Sequence, residues 1–431
     1  MNYNYKQIWL INFPVMMSIL TEQLINITDA LFLGHVGETE LGASALGGIY
    51  YLASYMLGFG FSTGLQVMIA RRNGEQNYKQ TGRTFFQGLY FLVLLAILLC
   101  LFINLLSPFI LKQLISSAEI YQAVVDYLYW RSTGLLFSFP FLALRAFLTG
   151  ITQTKALSIA ALFAFSINIP LNYLLIFILG QGISGAAMAS SLSEAASFFL
   201  LAVYLYQKTD PAKYGLKAVY EGRLLSKIFQ LSVWSMLHAF ISVSPWFLFF
   251  IAIEHLGKTE LAVSNITRSV STLFFVIVNS FASTTGSLIS NLFGAKQSRQ
   301  LFPVCRRIVK LGYAVGIPLV ITALLCRRTI IHFYTPNEIL IQQAIAPYSI
   351  MLLNYIFALP AYVYINAVTG TGNTKIAFLF QVLTIVFYLI YLYFLSQWLK
   401  ATLTAYMTAE YLFVMLLMIQ SVLYLKKQFK S

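Results

Sequence analysis

The 431 residues are 59% hydrophobic and 10% charged, with a mean hydropathy of +0.76 and a formal net charge of +14. A soluble globular protein carries about 45–50% apolar and roughly 25% charged residues, so this chain has too little charge to clothe a soluble core. Soluble enzymes, secreted disulfide scaffolds and disordered regulators are excluded. An integral membrane protein remains.

Apolar stretches long enough to cross a ~30 Å hydrocarbon core as helices recur along the chain. They are predicted at 8–33, 41–70, 84–107, 121–149, 157–179, 185–206, 228–254, 261–291, 308–331, 339–369, 376–399 and 402–425. Long continuous runs, rather than ~10-residue alternating ones, choose helices over a barrel. The predicted class is therefore all-α integral membrane, with twelve transmembrane helices. No basic segment followed by a small-residue cleavage site opens the chain, so the first span is expected to be retained. The three cysteines have no metal-ligand spacing.

Basic residues sort by loop. Arg71, Arg72, Lys79 and Arg83 follow the second span, Lys208, Lys213, Lys217, Arg223 and Lys227 flank the sixth and seventh, and Lys296, Arg299, Arg306, Arg307 and Lys310 flank the eighth and ninth. With the remaining loops and the C-terminal tail, 20 of the 28 basic residues lie on one face and five, including Lys258 and Lys400, on the other. The positive-inside rule then places both termini in the cytoplasm and the chain in the cytoplasmic membrane. The net charge requires no nucleic-acid partner.

An internal repeat is legible at a constant offset of 220: HVGETELGAS from His35 falls on HLGKTELAVS from His255, with His35/His255, Gly37/Gly257 and Glu40/Glu260 identical. The same shift pairs Gly74 with Gly294, and lays TGITQTK from Thr149 on TGTGNTK from Thr369. Two homologous six-helix lobes in one orientation are expected, 1–207 and 228–431, joined by a basic linker at 208–227. Glu254, beside His255, is expected at the membrane interface. Parallel repeats of this kind suit a transporter that holds substrate between lobes and alternates access.

Charged and strongly polar residues at membrane depth are costly, and by default they suggest function. In the first span Ser18, Glu22, Asn26 and Asp29 step by four, four and three, so they share one helical face. Pro14, about four turns earlier, lacks a donor and is expected to bend the helix. Asn168 and Asn172 on the fifth span, and Ser190 and Glu194 on the sixth, are one turn apart on single faces. Each of these has a rival reading as interhelical hydrogen-bond glue. Arg131 and Arg145 lie in the fourth span, where Asp126, the nearest acid in sequence, is expected to offset one of them. Arg268 in the eighth span has two readings, orienting cations or pairing with Glu410. His238 reads as a core histidine rather than a proton carrier. Met351, Asn354, Tyr355, Tyr362 and Asn366 lie on the tenth-span side that could line a substrate cavity, where rings and flexible Met suit flat lipophilic ligands.

Several segments carry a resemblance in their order: Pro14, the run Asp29–Gly34 with Gly37 and Leu41, LRAFLTGITQTK at 144–155, NIPLNYLL at 168–175 and GISGAAMAS at 182–190. With twelve spans and the repeat, the chain resembles the multidrug and toxic compound extrusion (MATE) transporters over essentially its full length. The resemblance implies a V-shaped exporter that exchanges cytoplasmic organic, often cationic, compounds for H⁺ or Na⁺, without a cofactor. By resemblance, Asp29 holds the position of the family's cation-binding aspartate, with Asn168, Asn172 and Ser190 beside it and Glu22, Asn26 and Glu194 in the same polar set. Asn172 replaces a carboxylate of the acidic version, which weakens a high-charge Na⁺ site and favours H⁺. Ser242 and Ala358 stand where some members carry second-lobe carboxylates, so a cation site there is not expected. A monomer is expected. The alternatives are a lipid-linked oligosaccharide flippase of the same wider superfamily, which should have an Arg-rich cavity, and a membrane-embedded lipid-modifying enzyme. Against the enzyme, no DxxD, HxxxH or HExxH set occurs.

Overall fold

The computed structural model describes residues 3–115, 117–245, 249, 253, 258–334, 337–397 and 402–429. Glu254, His255, Gly257, Lys400 and Lys430 lie outside the described residues. Among those described, all regular structure is helical: α1 (Tyr5–Gly34), α2 (Glu38–Gly74), α3 (Tyr78–Leu105), α4 (Ser107–Leu114), α5 (Ala118–Thr133), α6 (Leu135–Gly150), α7 (Lys155–Asn172, prolonged by a π turn over Tyr173–Ile178) and α8 (Gly182–Lys208). The short α9 (Pro211–Tyr214) precedes α10 (Gly222–Ile241). Then come α11 (Lys258–Gly294), α12 (Leu301–Leu325), α13 (Arg327–Tyr334), α14 (Glu338–Leu353), α15 (Tyr355–Gly370), α16 (Thr374–Gln397) and α17 (Leu403–Phe429). Eleven helical stretches are long and apolar enough to span a bilayer, and the bent pair α5–α6 makes a twelfth.

The repeat is visible in the backbone. Helices α2, α4, α5 and α6 begin and end 220 residues before α11, α13, α14 and α15. The turns after α2 and α11 place Gln76 (φ 59) and Lys296 (φ 56) in the same left-handed conformation. Contacts group the chain into two compact units, Phe13–Ala239 and Met1–Asn12 with Phe240–Ser431. Two predicted span limits shift. The ninth runs over Ser298–Leu325 instead of 308–331, because the chain breaks at Cys326 and Arg327 starts a separate short helix. The seventh starts earlier, at Gly222, and its helix ends at Ile241.

The break in the fourth span has a local cause. Gly134 caps both α5 and α6, and the two helices meet at 43°. Pro140 follows in the second turn of α6, where its missing N–H leaves one helical bond unmade. Gly134 also makes room: a Cβ there would lie 2.6 Å from Glu194 Oε2 and 2.8 Å from Arg131 Nη1. The bend thus opens a slot for an ion pair described below.

The connection after α8 is stapled to α3. Gln87, fully buried, donates from Nε2 to the Val219 carbonyl at 2.6 Å and accepts from the Glu221 N–H at 2.9 Å. Arg83 adds an ion pair to Glu221 at 3.0 Å. Gly82 is required here, since any Cβ would overlap the Tyr214 carbonyl. Each lost hydrogen bond costs about 0.5–1.5 kcal/mol. Gln87→Leu is therefore expected to loosen this segment locally, read as faster tryptic cleavage after Lys213 and Lys217 with little change in global melting.

A polar cavity beside Asp29

Within the Phe13–Ala239 unit, α1, α2, α5, α6, α7 and α8 enclose a cavity of about 770 Å³. That volume suits a small organic molecule, since such sites run about 300–1,000 Å³. The first-helix stripe lines it as a set: Ser18, Glu22, Asn26 and Asp29. The helix runs unbroken through Pro14. Opposite stand Ser190 and Glu194 from α8 and Ser44, Gly48, Tyr51 and Tyr55 from α2, with Tyr127 and Arg131 from α5.

Asp29 is held by three neutral donors. Asn168 and Asn172, both fully buried, donate from Nδ2 to its Oδ1 at 3.3 and 2.6 Å. Ser190 Oγ donates to Oδ2. Asn172 Nδ2 also donates to Asn168 Oδ1 at 3.0 Å, which fixes the two amides relative to each other. Pro170 and the π turn that starts at Tyr173 bracket Asn172, a helical irregularity that recurs at functional sites.

The neighbouring glutamates are different. Glu194 is bound by Arg131 at 2.6 Å, and Tyr51 donates to its other oxygen at 3.5 Å while its ring lies 3.9 Å under the guanidinium. Glu22 is bound by Arg145 at 3.2 Å, joining α1 to α6. The arginine side chains are only 11% and 6% exposed. Asp126, the acid adjacent in sequence, is engaged by Gln122 at 2.9 Å. So Arg131 and Arg145 take their partners from other helices. Asp29 is left with neutral donors and no bonded cation among the described residues.

The remaining predicted residues scatter. In the other unit, Met351 and Arg268 meet Glu410 around a cavity of about 20 Å³, room for one water. Tyr355 is buried and donates to the Gly312 carbonyl at 2.8 Å, and Asn354 is buried at the α14–α15 break. Tyr362 packs edge-on against Phe275 at 5.7 Å, and Asn366 donates to the Tyr362 carbonyl at 2.9 Å. His238 lies on α10 and is not among the residues lining the Asp29 cavity. Sequence reasoning passed over Ser44, Gly48, Tyr51 and Tyr55. Their spacing of four, three and four is the same signal that marked the first helix.

Comparison with known proteins agrees with this architecture. The chain is 23% identical over 358 residues to the multidrug resistance protein NorM of Aliivibrio fischeri, covering 80% of this chain and 75% of that one. It is 22% identical over 331 residues to a probable multidrug resistance protein NorM of Neisseria meningitidis serogroup B, covering 74% and 72%. A solved outward-facing conformation of a multidrug resistance MATE family transporter of the MOP superfamily superposes with TM-score 0.90 at 17% identity, over 99% and 96% of the two chains. A MatE family profile matches twice, over residues 14–174 and 235–394, once in each half of the repeat. The chain belongs to the MATE family, whose members are membrane transporters and not enzymes.

Proposed function

We propose that this chain is a secondary-active multidrug exporter of the cytoplasmic membrane, with both termini in the cytoplasm, working as a monomer. It exchanges cytoplasmic organic compounds, often cationic and lipophilic, for H⁺, with Na⁺ as the second possibility for the same site. The lobes are 1–207 and 228–431, joined by the linker at 208–227. The observation that carries this reading is the asymmetry among the acids: Glu22 and Glu194 are each neutralised by an arginine, whereas Asp29 has only amide and hydroxyl donors. A carboxylate in that setting gains most from an exchangeable cation, because a buried charge without a counter-ion is costly. A proton arriving at Oδ2 competes with the Ser190 hydrogen, so occupancy is felt by α1 and α8 together. If substrate and cation favour different arrangements of these helices, their movements are coupled. Glu22, Asn26 and Glu194 shape the polar wall, and the large cavity with Tyr51, Tyr55 and Met56 offers rings and a flexible thioether to flat ligands.

The flippase alternative calls for arginines free to meet a pyrophosphate. Arg131 and Arg145 are both committed to glutamates, which favours the exporter. Ethidium accumulation in cells with and without the protein tests the choice. Lower accumulation in the expressing cells is expected, and equal accumulation together with lipid-linked sugar translocation by the purified chain would point to the flippase.

A further inference from the structure

The residues joining α8 to α10 lie outside the Asp29 cavity and form an ordered surface of their own. Asp210 caps α9, accepting at Oδ1 from the Ala212 and Lys213 N–H groups at 2.9 and 3.1 Å. Gly215 then turns the chain with φ 57, a left-handed conformation that suits glycine. The turn is pressed against α3, where a Cβ at 215 would lie 3.0 Å from the Cα of Lys79. Tyr214 is buried against Tyr78 and Phe147, with ring centroids at 5.6 and 5.7 Å.

This packing gathers like charge. Lys213 and Lys217 stand two residues to either side of Gly215, and Lys79 abuts it. All three are exposed, and Lys213 Nζ lies over the Tyr78 and Tyr214 rings at 4.8 and 5.4 Å. Lys208 at the end of α8, with Arg223 and Lys227 at the start of α10, extends the patch. The two acids of the connection are engaged elsewhere, Asp210 by the α9 backbone and Glu221 by Arg83 at 3.0 Å. Among the described residues no ion pair reaches Lys79, Lys208, Lys213, Lys217, Arg223 or Lys227. Like charges gathered in this way repel unless an anion sits among them. The depth of the patch points to the source of that anion. Helices α3, α8 and α10 are all long and apolar enough to span a bilayer, so the patch lies where three spans leave the hydrocarbon. Gln87, which holds the Val219 and Glu221 backbone, stands nine residues into α3, about 13 Å along it at 1.5 Å per residue. Tyr220 is 68% exposed, and its ring lies 6.4 Å from Tyr90 on α3. Exposed tyrosines beside basic residues are typical of the headgroup level of a membrane.

We propose that Lys79, Lys213 and Lys217 form a binding site for the phosphate of an anionic phospholipid, of the phosphatidylglycerol type, in the leaflet that this face meets. The three ammonium groups meet the phosphodiester, and Tyr220 and Tyr90 offer rings to the ester region below it. Lys208, Arg223 and Lys227 draw further headgroups to the same place. The bound lipid neutralises the repulsion around Gly215 and ties the connection between α8 and α10 to the membrane surface. Free phosphate has the same chemistry, but the exposed ring of Tyr220 beside the lysines suits a lipid.

Purified full-length protein in neutral detergent, titrated with dioleoylphosphatidylglycerol or dioleoylphosphatidylcholine and read by native mass spectrometry, tests this. Wild type should prefer the glycerol lipid, because the choline ammonium cancels the phosphate charge of the other. Each lysine at a headgroup contributes about fivefold in affinity. Lys79→Gln should therefore weaken phosphatidylglycerol binding about fivefold, and Lys79→Gln with Lys213→Gln and Lys217→Gln on the order of a hundredfold. Lys79 lies on α3, outside the connection, so the single variant separates lost charge from a disturbed Gly215 turn. Lys426→Gln with Lys427→Gln, an exposed basic pair on α17, should bind as wild type does. Inorganic phosphate in excess should leave the lipid in place. Equal affinity for the two lipids overturns the proposal, as does wild-type binding by the triple variant or an equal loss in the α17 variant. Displacement by inorganic phosphate overturns a lipid as the occupant.

Discussion

Asp29→Asn is expected to abolish coupled export while leaving the fold intact. The substitution is isosteric, and an amide at 29 can still accept from Asn168, Asn172 or Ser190 through its one oxygen. The polar knot between α1, α7 and α8 therefore survives, and melting should fall by no more than about 1 kcal/mol, the worth of a typical hydrogen bond. On the proposed mechanism, what is lost is the ability to take up and release a cation. Allosteric coupling between two ligands is typically about 1–3 kcal/mol, and each 1.4 kcal/mol is roughly tenfold in an equilibrium. Ethidium efflux from energised cells should drop at least about tenfold, at equal protein in the membrane. Export at the wild-type rate, with the protein folded and inserted, would remove Asp29 from the mechanism.

The second large effect concerns stability. Arg131→Met leaves Glu194 charged and without its guanidinium in a site where the arginine side chain is 11% exposed. Breaking a buried pair by removing one partner costs about 3–5 kcal/mol. The lost contact over the Tyr51 ring adds about 0.5–2 kcal/mol. Replacing both partners, Arg131→Met with Glu194→Met, removes the stranded charge and should recover most of the loss. Thermal unfolding of the purified variants in detergent reads both. A single variant as stable as wild type would show that the pair is not holding α5 to α8. A double variant no better than the single would show that the cost lies in packing rather than charge.

The sequence showed the membrane class, the twelve spans and the repeat, because all three are carried by apolar run length and by one constant offset. It also showed the first-helix face, since Ser18, Glu22, Asn26 and Asp29 share one element and need only helical periodicity. Ion pairing was illegible for the opposite reason. Arg131 meets Glu194 across 63 residues and Arg145 meets Glu22 across 123. Asp126, chosen by nearness in the chain, stands five positions from Arg131, a spacing that turns the two side chains to different sides of a helix. The tenth-span residues share a similar fate. Met351, Asn354 and Tyr355 flank the break between α14 and α15, so a single continuous helical face does not describe them. The contrast between a roomy first-repeat cavity and a filled second one depends on which side chains point inward at offset positions, and that needs coordinates.

The central claim is that Asp29 exchanges the coupling cation during substrate transport. It is tested most directly in proteoliposomes carrying a trapped pH dye, with a substrate gradient and no initial pH gradient. Wild type should drive protons against the substrate flow, and Asp29→Asn should drive none, with Na⁺ present or absent on both sides. Proton movement of equal size in Asp29→Asn would contradict the account. So would substrate flow through wild type that moves neither H⁺ nor, by ²²Na⁺ uptake, Na⁺.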